Sequence, residues 1–143
     1  MDTRDRLMGL ISNGIDVTQI SDNSNKSILI RGCDPEMGRR AIELLTPLLG
    51  NPEMVSVTND DDFITELQKK KWSVIHFAPG ACRYDSTKSP IPGSRTQTKG
   101  WGLTEYKTLV KKHQGQDIKI VETAYERQIV PLLRKALVSN NKI

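Results

Sequence analysis

Ser27-Ile28-Leu29-Ile30-Arg31-Gly32-Cys33-Asp34-Pro35 is the stretch whose reading decides the fold. Ile28, Leu29 and Ile30 form an unbroken apolar run, the pattern of a strand buried on both faces, and Gly32 closes it. Asp34 then offers a capping carboxylate, and Pro35 a first helical residue that needs no amide partner. A buried strand running directly into a capped helix opens a β-α-β unit.

The same alternation continues outward from this stretch. Met37, Ala41, Leu44, Leu45 and Leu48 recur at helical spacing, and Pro47 predicts a kink or an early end. Gly50-Asn51-Pro52 is a turn signal, and Met54 to Thr58 reads as a second strand. Asn59-Asp60-Asp61-Asp62 caps a helix that runs to about Lys71, with Phe63, Ile64 and Leu67 on its core face. Acidic residues open this helix and Lys69, Lys70 and Lys71 close it, which suits its dipole. Trp72 to Ala78 is the third strand, ended by Pro79-Gly80. From Ala81 to Gly102 no periodicity survives; a loop of that length is expected to be a functional lid or disordered. Leu103, Tyr106, Leu109 and Val110 mark a third helix that stops near Gly115. Asp117 to Glu122 is the fourth strand, and Glu126 to Val138 the last helix, with a kink expected at Pro131. On the other side, residues 3–12 place Leu7, Leu10 and Ile11 on one helical face before Gly14.

The predicted organisation is an N-terminal arm and linker over 1–26, then an α/β domain over 27–143 with its long loop at 81–102. Strands alternating with helices imply a three-layer αβα sandwich around a parallel sheet of four to five strands. Right-handed crossovers favour the order 2-1-3-4. Ligands of such sheets bind at the carboxyl ends of the strands, near the switch point between strands one and three. That edge carries Arg31, Gly32, Cys33 and Asp34, then Pro79 to Asp85, then Glu122 and Thr123.

Composition narrows the class. A chain of 143 residues, 36% hydrophobic, 27% charged and 5% aromatic, suits one small domain with an aliphatic core. Two cysteines, Cys33 and Cys82, are too few for a disulfide scaffold. Two histidines, His76 and His113, do not assemble a zinc site of ordinary spacing, and no cofactor motif is complete, so no cofactor is expected. No apolar run spans a bilayer and no signal-type segment follows Met1, so a cytoplasmic location away from membranes is expected. The net charge of +4 is concentrated: between Gly80 and His113 seven cations face only Asp85 and Glu105.

Three groups of residues carry candidate chemistry. Gly32 to Arg39 stands between strand and helix, where phosphate loops lie. Its glycines are one residue too far apart for a P-loop, and no lysine follows. Cys33 and Arg39 do keep the Cys-x5-Arg spacing of low-molecular-weight tyrosine phosphatases, but Asp34 and Glu36 oppose a phosphate and Pro35 removes an amide donor. A cysteine nucleophile at the carboxyl edge, Cys33 or Cys82, with Arg83 or Arg39 holding an anion and His76 as a further catalytic candidate, is the enzymatic alternative, although His76 in mid-strand reads first as a neutral, hydrogen-bonded core residue. Arg31, Arg39, Arg83, Arg95 and Lys99 are the candidate anion ligands, and the basic stretch 83–112, with Tyr84 and Trp101 interleaved, is the candidate surface for a nucleotide or RNA. A receiver domain would need a carboxylate at the end of the third strand, where Pro79 and Gly80 stand.

Lys71-Trp72-Ser73-Val74-Ile75-His76-Phe77-Ala78-Pro79-Gly80 resembles the Ile-Val-His-Phe-Ser/Ala-Gly-His-Gly strand of caspase-like peptidases, especially their bacterial CHAT branch. Ile118-Lys119-Ile120-Val121-Glu122-Thr123-Ala124-Tyr125-Glu126-Arg127-Gln128 is similar to that family's Val-Val-Leu-Asn-Ala-Cys strand and the helix after it. The resemblance spans about residues 27–138 and breaks where chemistry would sit. The family's histidine matches Pro79 or Gly80, and its cysteine falls near Ala124 or Tyr125. A Cys–His dyad needs both partners to make the thiolate. The resemblance therefore implies a caspase-like module without its dyad, used for recognition. The expected function is a non-catalytic interaction or regulatory domain that recruits a protein partner, with the cysteine enzyme and the nucleotide or nucleic-acid binder as alternatives.

Overall fold

The computed structural model describes residues 21–32, 34–78, 103–123 and 125–139. The expected N-terminal helix at 3–12 and the long loop at 81–102 lie outside the described residues.

Four parallel strands, β1 (Ser27–Arg31), β2 (Glu53–Val57), β3 (Val74–Phe77) and β4 (Lys119–Glu122), form one sheet in the order β2-β1-β3-β4. The connecting helices are α1 (Pro35–Leu48), α2 (Asp60–Lys69), α3 (Leu103–Gln114) and α4 (Ile129–Ser139). This is the expected α/β sandwich, with four strands of its parallel sheet among the described residues. All five residues of β1 are buried, as befits a central strand with helices over both faces.

Side chains alternate between two core layers. Ile28, Ile30 and Val74 pack against Leu45, Leu48 and Leu49 at the end of α1 and against Val130, Leu133 and Leu137 of α4. Leu29, Ile75 and Phe77 pack on the other face against Phe63 and Leu67 of α2 and Tyr106 and Val110 of α3. Reversing the strand order at β1 sends α1 and α2 to opposite faces, so the central strands β1 and β3 are covered on both sides. Each of these aliphatic side chains contributes about 1.5–3 kcal/mol on burial.

The helix starts follow the sequence signals. Asp34 caps α1 by accepting from the Glu36 and Met37 amides at 3.0 and 3.2 Å, with Pro35 as the first helical residue. Asn59 caps α2 by accepting from the Asp62 amide at 2.8 Å. Gly38 has a different role from any phosphate loop. A Cβ there would overlap the Ser56 hydroxyl, so the missing side chain lets α1 close on β2.

Several boundaries move. α1 ends at Leu48, one residue beyond Pro47, so the proline marks the stop. Trp72 and Ser73 precede β3; the Trp72 amide donates to Gln114 Oε1 at 2.7 Å instead of to a strand. The last helix is split into a 3-10 turn at Glu126–Gln128 and α4. Pro131 is the third residue of α4, in the first turn where amides lack intrahelical partners, so it needs no kink.

Candidate functional site

Among the described residues the carboxyl edge of the sheet holds two polar clusters, one on each face. On the α2–α3 face, β1 ends with Arg31, whose register partners are Val57 and Phe77. Its side chain is 0% exposed and that of Asp60, the first residue of α2, is 1% exposed; Arg31 Nη2 lies 2.8 Å from Asp60 Oδ1. The Tyr106 hydroxyl, delivered by α3, stands 2.9 Å from Asp60 Oδ2 and 3.1 Å from Oδ1. Arg31 Nη1 also donates to the Gly32 carbonyl. The remaining donor, Arg31 Nε, is buried without a hydrogen-bond partner among the described residues. Burial, and then the Asp60 carboxylate, push the Tyr106 hydroxyl well above the usual tyrosine range, which keeps it a neutral donor.

This arrangement ties three elements together through one carboxylate. Withdrawing an ion pair from water is offset better the more of its hydrogen-bonding capacity is met, and Tyr106 meets part of that of Asp60, while Arg31 Nε stays unmatched among the described residues. A carboxylate engaged by a guanidinium and a phenol is a poor general base, because taking a proton would break both interactions.

On the α1–α4 face, His76 in β3 is buried, with Nε2 3.0 Å from Thr123 Oγ1. The Thr123 hydroxyl is in turn 3.4 Å from the Phe77 carbonyl, and the Thr123 amide donates to that carbonyl at 3.1 Å. A consistent proton assignment has Nε2–H donating to Oγ1 and the hydroxyl donating to the carbonyl. The sheet separates this imidazole from Arg31, so the two clusters do not share a site.

Among the other residues expected at a site, Arg39 is exposed on α1 and spends its guanidinium on Glu36 at 2.8 Å and Glu43 at 2.6 Å. Cys33, Cys82, Arg83, Arg95 and Lys99 lie outside the described residues. Lys107, within the basic stretch, pairs with Glu122 at 3.5 Å. Asp60, Tyr106 and Thr123 emerge as the polar partners at the carboxyl edge. Asp60 looked like one of three equivalent capping acids and Tyr106 like a core residue. The one available signal was that Asp60 immediately follows the cap of a helix starting beside the end of β1.

Among the described residues no group of three histidine, cysteine or carboxylate side chains is placed to hold a metal ion, and no helix is long and apolar enough to cross a membrane. Comparisons with protein-family models, with curated proteins and with solved structures find no match.

Proposed function

We propose that this chain is a non-catalytic interaction domain that recruits a protein partner. The observation carrying this reading is the closure of Arg31, Asp60 and Tyr106 on one another at the edge where α/β enzymes place their chemistry. Their charges and donors hold helices to the sheet instead of facing a substrate. The scaffold is then a caspase-like module without its Cys–His dyad, in which exposed Tyr125 stands beside the expected place of the nucleophile.

The test pairs a turnover screen with partner capture. The purified chain is assayed on activated esters, phosphate monoesters and peptides, alongside Cys33→Ser, Cys82→Ser and His76→Gln. The reading expects no turnover that any of these substitutions abolishes, together with capture of a protein by crosslinking in its native extract. Turnover lost with either cysteine overturns it in favour of the cysteine enzyme. RNA binding that weakens steeply with salt, and no captured protein, overturns it in favour of the basic stretch 83–112.

A further inference from the structure

We draw no further inference here: the strongest candidate, the groove of about 340 Å³ where α4 meets β4, lined by Val121, Leu132 and Ala136, is an apolar face for which nothing in the structure shows what covers it.

Discussion

Nη2 of Arg31 lies 2.8 Å from Oδ1 of Asp60, with both side chains withdrawn from water, and this pair joins the end of β1 to the start of α2. Twenty-nine residues separate them in the chain. Their separation in space is set by the order of the sheet, which places β1 next to β2 and starts α2 directly after β2.

Removing one partner of this pair leaves a buried charge without compensation. Asp60→Ala is therefore expected to destabilise the domain by about 3–5 kcal/mol, a large fraction of the roughly 5–15 kcal/mol typical of a domain. Tyr106→Phe removes one donor and is expected to cost about 1–3 kcal/mol. Urea denaturation of the two single variants and the double variant measures the coupling. Strict additivity would contradict the shared carboxylate.

Tyr106 supplies a pH dependence at the alkaline end. Its folded-state pKa is raised above the unfolded value near 10, so its contribution is complete below that value and declines as pH rises toward the folded one. The phenolate absorbance of Tyr106 at about 295 nm is expected only with alkaline unfolding or well above the ordinary range. The difference between wild type and Tyr106→Phe isolates that signal, and ionisation near pH 10 in the folded protein would refute the assignment.

At the acid end the relevant group is Glu36. Hydrogen bonds from Arg39 and then Arg40 hold its carboxyl at about 2, below the ordinary 4.5. A depressed carboxylate contributes stability above its unfolded pKa and loses it as pH falls through the folded one, so the window is about pH 4.5 down to 2. Carbon-detected NMR titration of Glu36 should give the low midpoint. Arg39→Ala should move it upward, and an unchanged midpoint would dismiss the pair.

Gln114 joins the end of α2 to the start of β3. Its Nε2 donates to the Leu67 and Lys70 carbonyls at 2.8 Å each, and its Oε1 accepts from the Trp72 amide at 2.7 Å. Gln114→Ala strands buried backbone groups and is expected to cost about 1–3 kcal/mol. Faster hydrogen exchange at the Trp72 amide is the local readout. Protection equal to wild type would deny the clamp.

Gly38 separates packing from phosphate binding. In Gly38→Ala the Ser56 hydroxyl must rotate away and its Cβ yield by a few tenths of an ångström. The expected loss is about 1 kcal/mol, after the better helix propensity of alanine offsets part of the overpacking. Adding Ser56→Ala should recover stability in thermal melts. A variant pair with no recovery would place the role of Gly38 elsewhere.

Over the described residues the helices and strands were legible in the sequence, because the signals that start and stop them are local. Asp34 and Asn59 cap through amides two or three residues away, and Ile28-Leu29-Ile30 announces a strand covered on both sides. Strand order then followed from the handedness of crossovers. Which polar groups meet is settled by packing alone. Of the three aspartates that open α2, Asp60 is the one that is buried against the end of β1, and Tyr106 reaches it across 46 residues of chain. His76 and Arg31 stand on adjacent strands yet on opposite faces, because register pairs His76 with Ile30 and side chains alternate along a strand. Composition and spacing carry no record of such pairings; they arise when burial compels each charged or polar group to find a partner among whatever the packed helices bring within reach.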